Sequence, residues 1–257
     1  MLKSRYCALE SVKIMGHAPN QVMGPNIELL LWNVFKCKKK GWLEDFKFLS
    51  SDKDLILLQE AILNSPYDVD FKKSLQHQWM MARSFKNVKT NIETGVKTGS
   101  TVAAQQHYFS VSKPSEPVFQ TKKMLLATVY PLPTLGQSLL VVNSHLINFV
   151  SFDKFSMHLN QVFHMLENHD GPILLAGDFN TWNGKRLRYF NHLAKSFSLD
   201  EVRMERKPRF NHLFQHLDHI YFRGLKVVNA NVHTNIHSSD HYPISLSLQT
   251  LNPVSEK

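Results

Sequence analysis

The sequence predicts a mixed α/β protein in which much of the sheet is antiparallel, and three patterns support this fold class. Short apolar runs rich in Leu, Val and Ile recur along the chain, and such runs are typical of buried strands. Amphipathic segments between some of these runs place apolar residues at helical spacing. Other strand-like segments follow one another without a long helix between them, which favours antiparallel pairing.

Four of the apolar runs end in, or lead directly into, a polar residue with a chemically useful side chain. These runs are IELLLWN to Asn33, LILLQE to Glu60, LLVVNSH to His145, and ILLAGDFN with Asp178 and Asn180. A sheet that projects such side chains from several strand ends into one cleft is typical of a catalytic site. For any single residue the alternative is a helix cap or the start of a turn.

The remaining patterns complete the predicted fold. Helical spacing predicts helices over residues 41–51, 154–168 and 185–197. Strand patterns cover residues 78–84, 97–104, 122–130, 217–222 and 225–232. No low-complexity tract, internal repeat or Pro/Ser-rich linker interrupts the chain. We therefore expect a lead-in arm over residues 1–26 and a single domain over residues 27–257.

The composition is that of an ordinary globular protein with an excess of positive charge. Of the 257 residues, 43% are hydrophobic and 20% are charged, which excludes collagen-like, disordered and disulfide-rich classes. Lys and Arg total 30 against 21 Asp and Glu, which gives a net charge of +9. This charge favours a polyanionic partner: nucleic acid, an anionic membrane surface or a phosphorylated small molecule.

The cysteines and the lack of long apolar segments favour a reducing, cytoplasmic setting. Cys7 and Cys37 have no metal-binding spacing and are expected to be free thiols. No stretch approaches the roughly 18 apolar residues that span a bilayer, and no apolar block resembles a secretory signal. We expect a cytoplasmic monomer without stable membrane insertion.

The strongest single motif is Gly-Asp-Phe-Asn at residues 177–180, directly after the apolar run ILLA. Glycine allows a close backbone turn, and Asp178 and Asn180 are expected on one face while Phe179 faces the core. An Asp and an Asn two residues apart can hold an attacking water and a phosphate oxygen. Two further motifs follow, LDHI with Asp218 and SSDHYPI with Asp240 and His241.

In this order, the motifs LLLWN, LLQE, NSHL, AGDFN, LDHI and SSDHYPI resemble the endonuclease/exonuclease/phosphatase superfamily. That superfamily includes deoxyribonuclease I, abasic-site endonucleases, sphingomyelinases and inositol-polyphosphate 5-phosphatases. The match runs from Ile27 to Leu248, and LLATVYPLP, LVVNSHLINF and AGDFNTW further resemble a small bacterial branch of it. The resemblance implies an α/β (α+β) fold, a four-layer α/β/β/α sandwich of the deoxyribonuclease I type, with its site at one end of both sheets.

The resemblance also implies a bound divalent cation, Mg²⁺ or Mn²⁺. Glu60 would be its main ligand, and Asn33 would lie beside it as a ligand or a water-mediated contact. Asp240 would be a ligand or would hold a ligand's water. These oxygen-bearing side chains suit Mg²⁺, which takes few protein ligands and retains several waters.

Five residues would take part in catalysis if the family's roles carry over, either at the phosphate, at the attacking water or by orienting another side chain. Asp178 would orient or deprotonate the attacking water, and Asn180 would hold a non-bridging oxygen. His241 would be the imidazole at the phosphate, as a base or a charge-stabilising donor, and Asp218 would orient it through the other ring nitrogen. His145 would donate to the phosphate and stabilise charge in the transition state.

Basic residues near the predicted strand ends are candidate contacts to a nucleic-acid backbone. They are Lys36, Lys38, Lys39 and Lys40 after Asn33, Lys185 and Arg186 after the GDFN motif, and Arg206 before Asp218. The alternative for such a charge run is a solvated face. Trp182 is expected either to stack on a base or sugar or to pack its own loop.

Most of the 14 histidines need no chemical role. His158, on the helix predicted at 154–168, is expected at the surface or half-buried. His219 should point away from Asp218 by strand alternation and pack. His212 and His216 have a helical metal spacing, but no third ligand accompanies them.

The main hypothesis is a divalent-metal-dependent phosphodiester hydrolase, an endo- or exonuclease on DNA, with water attack assisted by Asp178 and an Asp218–His241 pair. One alternative keeps the chemistry and changes the substrate to a phospholipid, as in a sphingomyelinase, or to a small phosphate ester. Another is a non-catalytic nucleic-acid binder on the same scaffold. An active enzyme is favoured by the presence of Asn33, Glu60, His145, Asp178, Asn180, Asp218, Asp240 and His241, although an acidic or tyrosyl phosphate contact found in some subfamilies is not apparent in residues 94–100.

Overall fold

Two β-sheets pack face to face, and helices cover the outer face of each. The computed structural model describes residues 3–4, 10–64, 76–117, 120–133, 136–204 and 217–251. The helices are α1 (Trp42–Ser50), α2 (Phe152–His164) and α3 (Gly184–Ser196). The strands are β1 (Lys3–Ser4), β2 (Val12–Met15), β3 (Asn26–Asn33), β4 (Leu55–Leu63), β5 (Gln78–Asn87), β6 (Glu93–Ser100), β7 (Gln106–Val111), β8 (Met124–Pro131), β9 (Ser138–His145), β10 (Ile173–Asp178), β11 (Asp200–Glu201), β12 (Asp218–Arg223), β13 (Leu225–Val232) and β14 (Ile244–Thr250).

Each sheet is mixed, with one parallel pair of strands among antiparallel neighbours. The larger sheet has the order β1-β5-β6-β4-β3-β14-β13, with β2 also paired to β5, and the smaller has the order β11-β12-β10-β9-β8-β7. The pairs β3–β4 and β9–β10 are parallel. Because parallel strands end at the same edge of a sheet, these two pairs bring four polar strand segments toward one end of the sandwich.

Apolar clusters separate four layers, and a small additional cluster of β5, β6 and β8 residues lies between the two sheets. The cluster between the sheets joins residues of β3, β4 and β14 to residues of β8, β9, β10 and β12. On the outer face of the larger sheet, Trp42, Phe46 and Leu49 of α1 pack on β3 and β4. On the outer face of the smaller sheet, α2 and α3 pack on β9, β10 and β12. The four-layer α/β/β/α sandwich predicted from the sequence is therefore confirmed.

The predicted helices are confirmed with shifts of a few residues at their ends. The predicted strands are also found, but the one predicted at 97–104 begins and ends four residues earlier, at Glu93–Ser100. The exposed strand β7 was not predicted, because its sequence QHYFSV lacks an apolar alternation and lies at a sheet edge. Part of the segment before Ile27 also forms a strand, since β2 pairs with β5 from Val12↔Ala82 to Met15↔Trp79. Within the described residues, no helix has the length and apolarity needed to cross a bilayer.

Candidate active site

Backbone register places three predicted site residues in one row at the end of the smaller sheet. Asp178, the last residue of β10, lies opposite His145 on the parallel side and opposite Asp218 on the antiparallel side. The preceding Gly177 makes this close approach possible. Its φ is 154°, and a Cβ there would lie 1.9 Å from the carbonyl oxygen of Ser144. A residue with a side chain cannot occupy this position without displacing β9.

Asp178 is the buried centre of the site. Its Oδ2 accepts a hydrogen bond from Asn33 Nδ2 at 3.0 Å, which links the ends of the two sheets. The same oxygen lies 3.6 Å from His145 Nε2 and 3.8 Å from His241 Nε2. Its Oδ1 accepts from the backbone N–H of Asn180 at 3.1 Å. One carboxylate thus contacts or faces groups from four separate segments.

Asp218 and His241 form a hydrogen-bonded pair, with His241 Nδ1 2.7 Å from Asp218 Oδ2. The loop that carries His241 is tied to β3, because Trp32 Nε1 donates to the carbonyl of His241 at 3.1 Å. Ser239 Oγ donates to the carbonyl of Asn33 at 2.6 Å. With these bonds in place, His241 Nε2 lies 3.8 Å from Asp178 Oδ2.

Glu60 lies on a bulge and not at a strand end as the apolar run suggested. The β4–β6 register shifts between Leu58 and Ala61, and Glu60 itself has a φ of 50°. Bulges of this kind redirect a side chain and are common beside functional sites. The Glu60 carboxylate forms an ion pair with Lys36, whose Nζ lies 2.7 Å from Oε2.

The pKa values of Asp178 and His241 are both raised, the first by burial and the second by neighbouring carboxylates. Burial raises the pKa of Asp178 to about 7, although the positive charge of His241 opposes this shift. Burial alone would lower the pKa of His241, but the carboxylates of Asp218, Asp178 and Asp240 raise it to about 10. At neutral pH, His241 is therefore an imidazolium, and burial makes Asp178 a stronger base than an ordinary aspartate.

The pKa values of Glu60 and His145 are both lowered, for different reasons. Burial raises the pKa of Glu60, but the ammonium groups of Lys123 and Lys36 outweigh burial and hold it below its usual value. Burial lowers the pKa of His145 well below its usual value, and Lys123 adds to this effect. Glu60 is thus anionic and His145 neutral at physiological pH.

The donor atoms of the site suit a divalent cation. Within the described residues, one ligand atom each of Asp178, Asp218 and His241 lies within 4.8 Å of the others, but His241 is protonated at neutral pH and has no lone pair for a cation, so only the two carboxylates count as donors. Glu60 adds an ionised carboxylate that is already balanced by a lysine, and Asp240 is an exposed carboxylate next to His241. Carboxylate oxygens are the ligands that Mg²⁺ and Mn²⁺ prefer.

Asn180 is buried beside Asp178, although the strand alternation predicted for it does not extend that far. β10 ends at Asp178, and Asn180 has a φ of 51°. Its Nδ2 donates to the carbonyl of Leu146 at 2.9 Å. A carboxamide nitrogen carries two hydrogens, so this bond leaves the other available to a ligand.

The structure contradicts the prediction that Arg186 contacts a nucleic-acid backbone. Its side chain is 1% exposed, and its guanidinium donates to the carbonyls of Asn180 at 2.9 Å and Val150 at 2.7 Å. Arg186 therefore stabilises the loop after Asp178 by hydrogen bonds to its backbone. The sequence did not reveal this role, because a basic residue in the first turn of a helix resembles a surface residue.

The other predicted phosphate contacts lie in several environments. Lys36 is engaged with Glu60, and Lys39 donates to the carbonyl of Ser239 at 2.7 Å. Lys38, Lys40 and Lys185 are exposed, as is Trp182, whose Nε1 donates to Asn148 Oδ1 at 3.0 Å. Arg206 lies outside the described residues, as do Cys7, His212 and His216.

Two histidines behave differently from each other. His219 is buried and bonded to Thr181 Oγ1 at 2.6 Å and to Glu201 Oε1 at 2.8 Å, which agrees with its predicted packing role. The prediction that His158 lies near the surface is wrong, since it is fully buried. Its Nδ1 accepts from the backbone N–H of Ile147 at 3.2 Å, two residues beyond His145.

Sequence reasoning missed two polar contacts beneath and beside the site. Gln59 Nε2 donates to Asn143 Oδ1 at 2.7 Å and joins the two sheets behind Asp178. Lys123 Nζ lies 3.2 Å from His145 Nε2. The one available signal for Lys123 was its position directly before the apolar run MLLATVY.

This combination of fold and site agrees with the comparisons to known proteins. Residues 30–241 match the Endonuclease/Exonuclease/phosphatase family. The chain belongs to this family. Its members are typically hydrolases of phosphoester bonds, and the resemblance stated from the sequence is confirmed.

Bacterial proteins are among the relatives of known sequence. A UPF0294 protein from Yersinia pseudotuberculosis serotype O:1b is 35% identical over 229 residues, which is 88% of this chain and 85% of the relative. A UPF0294 protein from Yersinia pestis matches to the same extent. These matches agree with the predicted resemblance to a small bacterial branch.

Solved structures share the fold at low sequence identity. An endonuclease/exonuclease/phosphatase from Beutenbergia cavernae superposes with a TM-score of 0.69 at 15% identity, over 88% of this chain and 72% of that one. The human Nocturnin catalytic domain, with a bound sulfate anion, gives a TM-score of 0.66 at 15% identity, over 93% and 98%. At these identities the likeness supports the fold alone.

Proposed function

We propose that the protein is a divalent-metal-dependent phosphodiester hydrolase that acts on nucleic acid, with DNA as the favoured substrate. The observation that carries the proposal is the buried Asp178, which contacts Asn33 and faces His145 and His241. Next to it, the Asp218–His241 pair supplies a fixed imidazolium. Asp178 Oδ2 and His241 Nε2 lie 3.8 Å apart, so one small site contains both a base and a cation, the groups that hydrolysis of a charged ester requires.

In the proposed mechanism, Asp178 orients the attacking water and accepts its proton. A pKa of about 7 suits this role, because a general base works best when its pKa is near the working pH. Asn33 holds Oδ2 of the carboxylate and the Asn180 backbone holds Oδ1, so the orientation is fixed.

His241 donates from Nε2 to a phosphoryl oxygen, while Asp218 keeps Nδ1 protonated and the ring aligned. The raised pKa of His241 supports this charge-stabilising role over that of a base. Asn180 offers its second amide hydrogen to another phosphoryl oxygen.

Glu60 and Asp240 would hold the divalent cation, with Asn33 beside them. When bound, the cation supplies positive charge to the phosphoryl group and to the leaving oxygen. Asn33 has limited freedom for this role, because its Nδ2 donates to Asp178 and its Oδ1 accepts from the N–H of Phe35 at 3.2 Å. One lone pair of Oδ1 therefore remains for a ligand or a bridging water.

Exposed cations and aromatic rings next to the site support a nucleic-acid substrate. Phe149 and Trp182 are 66% and 41% exposed, and they follow His145 and Asn180 by four and two residues. Asn148 joins their loops through Trp182 Nε1. Such rings stack on bases, and the exposed Lys38, Lys40 and Lys185 add positive charge for the backbone.

The test compares the wild-type protein with His241→Ala on a panel of substrates in the presence of Mg²⁺. The panel contains supercoiled plasmid, an abasic oligonucleotide, RNA, sphingomyelin and inositol phosphates. We expect cleavage of a nucleic acid by the wild type and a loss of about 100-fold or more in the variant, the range of a general acid–base or charge-stabilising group.

The matched control is His164→Ala, which removes an exposed histidine of α2 paired to Glu167. It should retain wild-type activity. Cleavage of sphingomyelin or inositol phosphates alone would reject the nucleic-acid substrate and keep the chemistry. If the wild type cleaves nothing on the panel, or if His241→Ala matches it, the catalytic proposal fails.

A further inference from the structure

Lys123 lies beside His145, although no site motif contains it. β8 begins at Met124 and pairs with β9 so that Leu125 lies opposite Ser144. This register brings Lys123 to the end of β9, where its Nζ lies 3.2 Å from His145 Nε2 and 3.4 Å from Glu116 Oε1. The side chain is 16% exposed, so it is largely withdrawn from water but keeps some contact with solvent.

The contact between Lys123 and His145 fixes the role of the imidazole. An ammonium group has donors and no acceptor, so Lys123 donates and His145 Nε2 accepts. His145 is therefore neutral and carries its hydrogen on Nδ1, in agreement with a pKa that burial and Lys123 hold well below its usual value. A ring nitrogen that accepts from Lys123 is unavailable as a donor to phosphate, which was the role that the resemblance implied for His145.

Glu116 holds the lysine from the other side. Its Oε1 also accepts from the backbone N–H of Asn148 at 3.0 Å, and its Oε2 accepts from Thr121 Oγ1 at 2.8 Å. The carboxylate is therefore fixed by its own hydrogen bonds. It ties Lys123 to the loop that follows His145, so the ammonium group has a defined position.

The charge of Lys123 affects two carboxyl groups at the centre of the site. Burial raises the pKa values of Glu60 and Asp178, and the positive charge of Lys123 lowers both. His145 Nε2 lies 3.2 Å from Lys123 Nζ and 3.6 Å from Asp178 Oδ2. The ammonium group and the proposed base thus lie on either side of one ring nitrogen.

We propose that Lys123 is a substrate-binding residue that donates to a non-bridging oxygen of the phosphoryl group, with His145 and Glu116 as its positioning residues. His145 Nε2 takes one N–H group of Lys123, and Glu116 holds the ammonium group as an ion pair at 3.4 Å, so we expect a remaining N–H group to reach the ligand. This inference rests on the proposed function, because the ligand is the phosphoryl group of that reaction. It moves the donor role from His145 to Lys123.

The experiment measures the binding of inorganic phosphate by calorimetry, with Mg²⁺ present, in Lys123→Met, Lys123→Arg and the control Lys122→Met. Lys122 is the adjacent lysine, and it donates to the carbonyl of Lys113 away from His145. We expect Lys123→Met to bind phosphate about 10- to 100-fold more weakly, the range of one charged hydrogen bond. Lys123→Arg should restore part of the affinity, and Lys122→Met should match the wild type.

A second measurement does not depend on the folding of a variant. The ¹⁵N chemical shifts of His145 in the wild type should show a neutral ring protonated at Nδ1. Protonation at Nε2, or unchanged phosphate affinity in a folded Lys123→Met variant, would overturn the inference. Phosphate binding is independent of turnover. If the protein cleaves no substrate but binds phosphate through Lys123, the proposed function fails and this inference stands.

Discussion

The two sheets hold their parts of the candidate site in different ways. In the smaller sheet, His145, Asp178 and Asp218 lie in one row of regular strand register. In the larger sheet, Glu60 lies on a bulge with a φ of 50°, and the three residues 35–37 after Asn33 also have positive φ values, of 46°, 56° and 55°. The site residues of the smaller sheet, here called the ladder half, are therefore held by regular strand pairing. Those of the larger sheet, called the irregular half, lie on irregular backbone.

The difference in backbone structure matches a difference in the roles proposed for the two halves of the site, proton transfer in the smaller sheet and cation binding in the larger sheet. A hydrogen-bond ladder holds side chains at fixed spacing without strain, which suits the groups proposed to move protons. Positive φ values in residues other than glycine cost free energy and persist only where the surroundings enforce them. Here the contacts include the hydrogen bond from the Phe35 N–H to Asn33 Oδ1 and the bond from the Cys37 N–H to the Val34 carbonyl at 2.8 Å, together with the ion pair of Lys36 and Glu60. Changes in the first half should damage chemistry and folding, and changes in the second should alter cation affinity.

The largest effect is expected from Asp178→Asn in the ladder half. The substitution removes the proposed base and keeps the size of the side chain and one of its two acceptor oxygens, so turnover should fall about 1,000-fold. Steady-state kinetics on the best nucleic-acid substrate measure this. Turnover within tenfold of the wild type would mean that Asp178 is not the base.

The unfolding of the same variant provides an independent control. Burial raises the pKa of folded Asp178 from 3.8 to about 7, so the folded state binds an extra proton between these pH values. In metal-free buffer, the Asp178 contribution to the free energy of unfolding should therefore decline as the pH rises from about 4 to about 7. Asp178→Asn has no carboxyl group at this position, so the difference between its free energy of unfolding and that of the wild type should change across this pH range by the amount of the Asp178 contribution.

The same contrast explains how much the sequence could predict. Apolar runs followed by polar residues identify Asn33, His145 and Asp178, because a ladder places the end of each strand predictably. Glu60 was identified as a residue, but its bulge was not, since a bulge depends on how β4 meets β6. Long side chains were the least predictable: Lys36 reaches back to Glu60, Arg186 turns inward and Lys123 meets His145 from another strand.

A smaller effect is expected from Gly177→Ala, which tests whether the ladder half tolerates displacement. The added Cβ would lie 1.9 Å from the Ser144 carbonyl oxygen, so β9 and β10 must separate. We expect a loss of about 2 to 4 kcal/mol in the free energy of unfolding, measured by urea denaturation. Gly24→Ala is the matched control, since its Cβ would meet no atom closer than 3.4 Å. Equal losses in the two variants would show that the register is not tightly constrained.

The smallest effect is expected from Lys36→Met in the irregular half. Lys36 neutralises Glu60 and must yield to a divalent cation bound by that carboxylate, so its removal should tighten Mn²⁺ binding. Both side chains are partly exposed, at 33% and 18%, and an ion pair in that setting is worth up to about 1 kcal/mol. The expected gain in affinity is therefore about threefold to fivefold, measured by electron paramagnetic resonance of free Mn²⁺.

The control is Lys38→Met, which removes the same charge from an exposed side chain near the ring of Phe35 and should change the Mn²⁺ affinity less. Weaker Mn²⁺ binding in Lys36→Met alone would instead mean that the lysine orients Glu60 for the cation. The positive φ values of residues 35–37 would then help to position the cation ligands, and both sheets would hold their site residues rigidly.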